Sequence, residues 1–422
     1  MSSTTVHGRR VAAVAALALA LAACSSSPGP LDTLAGSPAP GQASGTPGGA
    51  QGATQGGTQN GAPPEASGAG LKTGDAAVVV WCDRRKDDKG GYGDYTQTVT
   101  VGSYAMQGGA NLDHRVFLLP SKAESAGVCR NADPVLAGID DMATDTMRQS
   151  FNRDFSLLAG TVPGPGGTGT VATAFKGPDG PLPRKQDSGY ASAPKDTHPL
   201  FQPGTSTLWF STVDKQVVTL DAAKSEADPV KRATAGRSPF VLAGDRPWTV
   251  LPATVGDDAT AVNPSGTVAV SGSRYSTTLL LWRPEEVKEG LDYLNSPHEV
   301  RLPDSTFKDP ATPHRCAPQV WSDDSSLLCL TTTSLLRVRF SPDLEQVAGV
   351  DTLVPETDRK NRDVVLSPDR KSLAFLSFQG TVGSLYRLDL TTPGAQPAKV
   401  ADIPASTPSA SEKSVLRLVA WQ

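Results

Sequence analysis

A pattern of strand, proline turn and strand recurs four times from residue 201 onward, and a recurring hairpin leaves a chain few architectures to adopt. The clearest copy is Val365-Leu366-Ser367-Pro368-Asp369-Arg370-Lys371-Ser372-Leu373-Ala374-Phe375. Pro368 presets φ for the turn, and Asp369 can bond back to its own backbone. Phe201-Gln202-Pro203-Gly204-Thr205-Ser206-Thr207-Leu208-Trp209-Phe210 superposes on it without a gap, with Pro203 on Pro368, Leu208 on Leu373 and Phe210 on Phe375. With one residue deleted, Val262-Asn263-Pro264-Ser265-Gly266-Thr267-Val268-Ala269-Val270 and Val320-Trp321-Ser322-Asp323-Asp324-Ser325-Ser326-Leu327-Leu328-Cys329 follow the same course. Leu418-Val419-Ala420-Trp421 reads as the first strand of one more copy, ended before its turn.

The copies begin near residues 202, 263, 322 and 367, a period of about 45 to 61 residues. Each is followed by a further strand, and a period near 40–50 residues with four strands per unit is the sign of a β-propeller. The expected fold is all-β, with six or seven four-stranded blades over residues 73–422. Other strand-length runs support it: Ala76–Trp81, Arg115–Leu119, Gln216–Leu220, Thr277–Trp282, Leu335–Phe340 and Leu385–Leu390, β-branched or aromatic and bounded by turn residues. A β-sandwich of proline-turn hairpins is the other architecture for such a composition, and it predicts no fixed period. Helical periodicity is scarce; the spacing of Ile139, Met142, Ala143, Met147 and Phe151 predicts one helix between Asp133 and Phe151.

Ser367-Pro368-Asp369-Arg370-Lys371-Ser372-Leu373-Ala374-Phe375, followed by Leu385-Tyr386-Arg387-Leu388-Asp389, resembles the WD40-like repeat of TolB-type propellers. The match is good over residues 364–390, moderate for three other copies and poor over residues 73–195; it departs from the family at Asn263 and Asp323. The resemblance implies radial blades around a central channel. It also implies a last blade completed from both chain ends, with Ala76–Trp81 as the partner of Leu416–Trp421.

The N-terminus carries an address. Arg9-Arg10 precedes an apolar run from Val11 to Ala20, and Leu21-Ala22-Ala23-Cys24 follows. The run is shorter than the roughly 20 apolar residues a membrane span needs, so residues 1–23 read as an export signal. Leu-Ala-Ala-Cys resembles the lipobox of bacterial lipoproteins, which implies a lipid-modified Cys24 as the mature first residue and a place on the outer side of the cell membrane. Arg9-Arg10 serves as a basic start; a twin-arginine signal would have more of its consensus around the pair. Residues 24–72 are Gly, Ser, Pro, Ala, Thr and Gln with two ionisable groups before Lys72, Asp32 and Glu65, too little apolar surface to fold; they predict a disordered linker. Such coil reaches roughly 40 Å. Losing residues 1–23 removes two arginines and takes the formal charge from −4 to −6, which argues against nucleic acid as a partner.

Apart from Cys24 the cysteines are Cys82, Cys129, Cys316 and Cys329. An even count in an exported chain predicts two disulfides, with three connectivities possible; the sequence-local one, Cys82–Cys129 and Cys316–Cys329, is expected. Metal binding lacks the spacing: there is no CxxC, and His314 is the one histidine near a cysteine. Nucleophile elbow, zinc-protease helix, phosphate loop and dinucleotide fingerprint are all missing. His114, His198, His298 and His314 have no local catalytic partner. Asp140, Asp141 and Asp145 read as a solvated helix face, Asp83–Lys89 as a charged hairpin tip, and Trp209, Trp282 and Trp321 as packing residues. The expectation is a lipid-anchored module without cofactor or metal, a monomer that binds or scaffolds an envelope protein or glycan. The alternative is a propeller hydrolase or lyase acting on a wall or extracellular polymer.

Overall fold

The computed structural model describes residues 70–422, apart from 87–94, 126, 130–142, 183–194, 214–215, 225–229, 234–239, 244–245, 250–258, 273–275, 284–296, 304–314, 332, 381 and 405–413. In chain order, the strands are β1 (Ala76–Lys86), β2 (Tyr95–Ala105), β3 (Asn111–Leu119) and β4 (Glu124–Ser125). The short helix α1 (Thr144–Arg148) precedes β5 (Leu158–Pro163) and β6 (Thr170–Phe175). Then come β7 (Thr197–Phe201), β8 (Thr207–Ser211), β9 (Val217–Asp221), β10 (Val230–Ala233), β11 (Phe240–Ala243) and β12 (Arg246–Thr249). They are followed by β13 (Ala259–Val262), β14 (Ala269–Gly272), β15 (Thr278–Trp282) and β16 (His298–Arg301). The last are β17 (Ala317–Trp321), β18 (Ser326–Leu330), β19 (Leu335–Phe340), β20 (Val347–Val354), β21 (Lys360–Leu366), β22 (Ser372–Gln379), β23 (Val382–Asp389), β24 (Ala398–Pro404) and β25 (Ser414–Trp421).

Among the described residues these strands form seven antiparallel sheets. Five have four strands: β25-β1-β2-β3, β7 to β10, β13 to β16, β17 to β20 and β21 to β24; β4-β5-β6 has three and β11-β12 two. Each sheet touches the next, through β3 and β6, β5 and β7, β7 and β11, β11 and β13, β13 and β17, and β17 and β21. Then β21 touches β25, so the seventh sheet returns to the first. Antiparallel sheets, mostly four-stranded, that each touch the next until the last returns to the first are a β-propeller. The ring closes as the half-motif at the C-terminus predicts: β25 pairs antiparallel with β1, Trp421 opposite Ala77 and Leu416 opposite Trp81.

The interior lies between the sheets. Val78, Val80, Val99, Val101 and Phe117 of the first sheet pack on Phe155, Leu158 and Phe175, while Ala77, Val79 and Trp81 on its other face pack on Leu376, Leu385 and Ile403 of the seventh. Alternation along inner strands such as β1, β17 and β18 buries both faces, the pattern of a sheet covered on two sides. Asp83–Lys86 belongs to β1 and not to a loop, so this end of the charged run extends a strand; residues 87–94 lie outside the described residues.

Both disulfides follow the sequence-local pairing, Cys82–Cys129 with Cα atoms 5.6 Å apart and Cys316–Cys329 with 5.1 Å. The first joins β1 to the segment ahead of α1; the second ties the lead-in of β17 to β18. In the chain-entropy model, loops of 47 and 13 residues correspond to about 4 and about 3 kcal/mol. Replacing both cysteines of a pair by alanine is expected to lower the denaturation midpoint more for Cys82/Cys129 than for Cys316/Cys329. Equal midpoints for the wild type and both double variants would reject the pairing.

Candidate functional site

Helix α1 is five residues long, and no side chain caps its N-terminus at Ala143. A helix this short has no stability of its own, so its place is set by what it touches. It touches β13, β17, β21 and β25, the inner strands of four sheets. Ala143 packs with Val270, Leu279 and Trp321 between the fifth and sixth sheets. Met147, about 6 Å further along the axis, packs with Phe117, Phe151 and Leu158 between the first and second. The helix therefore lies across the channel. The Thr144 hydroxyl is shared between the carbonyl oxygens of Gln319, at 3.2 Å, and Val364; the Thr146 hydroxyl donates to Thr260 O at 3.4 Å. Of the helix expected between Asp133 and Phe151, residues 133–142 lie outside the described residues; its C-terminal end is corrected, since α1 stops at Arg148 and Phe151 instead bridges Leu158 at the start of β5.

Arg148 explains the stop. Its guanidinium donates to the carbonyl oxygens of Phe151, Asn152 and Arg153 at 2.9–3.0 Å and lies 4.2 Å from the centre of the Phe155 ring. Gathering three carbonyls around one cation curls the chain out of the helical path. Burial lowers its pKa to about 10, with Asp154 acting against the shift. The same loop receives the N-terminal end of the propeller, through Leu71 N to Asp154 O at 2.8 Å, and the C-terminal end, through Gln422 Nε2 to Arg153 O at 3.3 Å.

Inner strands carry irregularities that redirect side chains. Register shifts interrupt β7, β17, β21 and β25 beside His198, Gln319, Asp363 and Val419, and a bulge re-aims what it carries. Asp363, with φ +46, accepts from Arg417 Nε at 3.2 Å and Nη2 at 3.0 Å and from Leu418 N at 2.9 Å. Both side chains are buried, at 4% and 8% exposure. This pair joins the last complete sheet to the strand that closes the ring. Gln319, 2% exposed, donates through Nε2 to Pro318 O at 3.1 Å, while its Oε1 is buried without a hydrogen-bond donor.

The first hairpin turns of three neighbouring sheets, at residues 263–268, 322–326 and 367–372, lie against one another. In the turn at 367–372, Ser367 Oγ bonds Asp369 Oδ1 at 2.6 Å, Lys371 N donates to the same oxygen and Arg370 takes φ +58. The hydroxyl bond is the first cause of a lowered Asp369 pKa. Ser341-Pro342-Asp343-Leu344-Glu345 folds identically between β19 and β20, with Leu344 at φ +60. In the turns after β7 and β13 a left-handed position is held by glycine, Gly204 at φ +73 and Gly266 at φ +67, which takes it without strain. The turns interlock: Arg370 donates to Trp321 O at 2.6 Å and Ser322 O at 3.1 Å, and Ser265 N donates to Asp324 Oδ1 at 2.8 Å. Asp145 is exposed on α1, yet desolvation by the protein beside it raises its pKa to about 6, against the pull of Arg370. Of the three carboxylates expected on a solvated helix face, Asp145 is exposed, in the first turn of α1.

The other singled-out residues are not brought together. His114 is in β3, His198 in β7 with φ +52, and His298 in β16, where Nε2 is 2.9 Å from Glu345 O. Cys24, His314, Asp140 and Asp141 lie outside the described residues. Trp209, Trp282 and Trp321 each place Nε1 on an acceptor, Gln202 Oε1, Ser271 Oγ and Ala261 O. Among the described residues no three of His, Cys, Asp and Glu gather at metal-binding distance, and no helix is long and apolar enough to cross a membrane.

No family model matches this chain, and no curated protein does. Solved structures similar to it include the Swd1 β-propeller domain of Myceliophteria thermophila, 10% identical, covering 80% of this chain and 89% of that one, with a TM-score of 0.30. TolB from Acinetobacter baumannii is 13% identical, covering 82% and 68%, with a TM-score of 0.32. An oligogalacturonate lyase in complex with manganese is 11% identical, covering 80% and 76%, with a TM-score of 0.31. No residue role passes to this chain from similarities of that size, and the propeller rests on its own sheet order and ring of neighbours.

Proposed function

We propose that this chain is an extracytoplasmic lipoprotein, lipid-modified at Cys24, whose propeller is a non-catalytic binding or scaffolding module of the cell envelope. In this reading residues 1–23 are removed on export, residues 24–72 are a flexible tether and residues 73–422 are the folded module. Two buried disulfides fit an oxidising compartment. The observation that carries the non-catalytic part is α1. The axis is where side chains from all the sheets converge, and here it is crossed by backbone and threonine hydroxyls bonded to strand carbonyls. The partner is an envelope protein or a glycan, met by a monomer whose anchor is its contact with the bilayer.

Acyl chains contribute about 0.8 kcal/mol per buried methylene, so two chains hold a protein stably and none does not hold it. Cys24→Ala is expected to move the protein from the membrane pellet to the soluble fraction, and intact mass should show loss of the acyl increment. Equal fractionation of wild type and variant, with an unmodified wild-type mass, would reject the anchor.

A further inference from the structure

Each sheet of the ring packs on the next. Where units touch only their neighbours, stability is a sum of unit and nearest-neighbour terms, and one unit can open whatever happens across the ring. Residues 143–151 depart from that arrangement. They meet the first sheet through β25 and the fifth, sixth and seventh through β13, β17 and β21. The Thr146 hydroxyl bonds Thr260 O of the fifth sheet, and the Thr144 hydroxyl is divided between Gln319 O of the sixth and Val364 O of the seventh. Past the helix, Gln149 O accepts from Phe201 N of the third sheet at 2.6 Å, and Ser150 O accepts from Ala159 N of the second at 2.7 Å. Six sheets, the first, second, third, fifth, sixth and seventh, are thus bonded to or packed on one short stretch of chain.

The stretch is built as core. Ala143, Thr144, Met147, Ser150 and Phe151 are each no more than 1% exposed. A five-residue helix does not hold itself, so the surrounding sheets fix its place. Coupling of this kind is reciprocal: what the sheets do for the segment, the segment does for the sheets. The third and sixth sheets are not neighbours in the ring, yet Gln149 O and the Thr144 hydroxyl tie them to the same segment.

We propose that residues 143–151 are the hub of the ring, coupling sheets that are not neighbours so that they open together. A sheet held there cannot separate without breaking its bond to the hub or unseating the hub from the other five. Opening of any one of the six is thereby raised towards unfolding of the whole. This coupling needs neither an acylated Cys24 nor a bound partner.

Native-state hydrogen exchange on the full-length protein is the test. The amides of Met147, Gln149, Ser150 and Phe151 all bond backbone carbonyls, and they should be protected to within tenfold of those in β8 and β17. Val218→Ala trims a buried side chain of the third sheet, and it should speed exchange equally in β8 and in β17 of the sixth. Thr144→Val with Thr146→Val keeps the side-chain volume and removes the hydroxyl bonds. In that background the same Val218→Ala change should speed β8 at least tenfold more than β17. Equal acceleration of both strands in the double-valine background would show that the ring is cooperative without a hub, and would overturn the proposal. So would exchange of residues 147–151 more than tenfold faster than β8 and β17 in the unsubstituted protein, a measurement that needs no variant to fold.

Discussion

A chain ending at residue 413 is expected to show no cooperative unfolding transition. The lost segment is the innermost strand of the first sheet, and Val415, Leu416, Leu418, Val419 and Trp421 on it are all buried. Each such side chain contributes about 1.5–3 kcal/mol, so the five together approach the 5–15 kcal/mol that stabilises a whole domain. Removal also bares the edge of β1, whose Val78, Val79, Val80 and Trp81 make a template for aggregation. It deprives Asp75 Oδ1 of the Trp421 Nε1 donor at 2.6 Å and leaves Asp363 without the Arg417 and Leu418 donors. Calorimetry should find a broad, weak transition with oligomers by light scattering. An excess of synthetic peptide 414–422 should restore part of the cooperative heat. A sharp transition within a few degrees of the full chain would mean that β25 is dispensable and that the ring is not held from both ends.

That closure was legible in the sequence because it depends on patterns short enough to read. Ala76–Trp81 and Leu416–Trp421 are apolar, β-branched runs without their own hairpin partner on one side, and the half-motif at 418–421 lacks its turn. Each feature asks for a strand from elsewhere. The proline turn was read correctly as a turn in all four copies, though its residues alone do not mark a sheet's first hairpin. The Ser341–Glu345 turn shows why: hydroxyl, proline and carboxylate encode a local hydrogen-bonding pattern that serves any hairpin, here the one joining β19 to β20. Spacing alone does not distinguish the two uses.

The site was less legible. Ala143, Met147 and Phe151 recur at helical steps, yet Arg148 collects the carbonyls of the next turn and ends the helix. A guanidinium competing for backbone carbonyls depends on what buries it, which periodicity does not record. Nor does the sequence mark the inner-strand bulges, since register is a property of two strands. One signal was there to be used: Asp363 precedes Val364-Val365-Leu366, and Arg417 interrupts Val415-Leu416 and Leu418-Val419. Opposite charges embedded in two apolar strands of the same protein are costly alone and compatible together. Matching them would have predicted the contact between β21 and β25 without coordinates.

That contact carries the second large effect. Asp363→Ala strands the Arg417 guanidinium, 8% exposed, without its carboxylate and takes the acceptor from Leu418 N. Breaking a buried pair on one side costs about 3–5 kcal/mol, because the remaining charge stays desolvated. Asp363→Asn separates the parts of that loss. Asparagine tolerates the left-handed backbone at φ +46 and keeps an acceptor for Leu418 N, but it has no charge for Arg417. Its loss should fall between those of wild type and alanine. Arg417→Met made in the Asp363→Ala background should recover stability relative to Asp363→Ala alone, since the uncompensated charge is then gone, and the cycle measures the coupling. Denaturant midpoints at constant slope give all four values. Additive losses in the double variant would show that the two residues act separately, and that the ring is held by the β1–β25 ladder and packing without an ion pair across its closing seam.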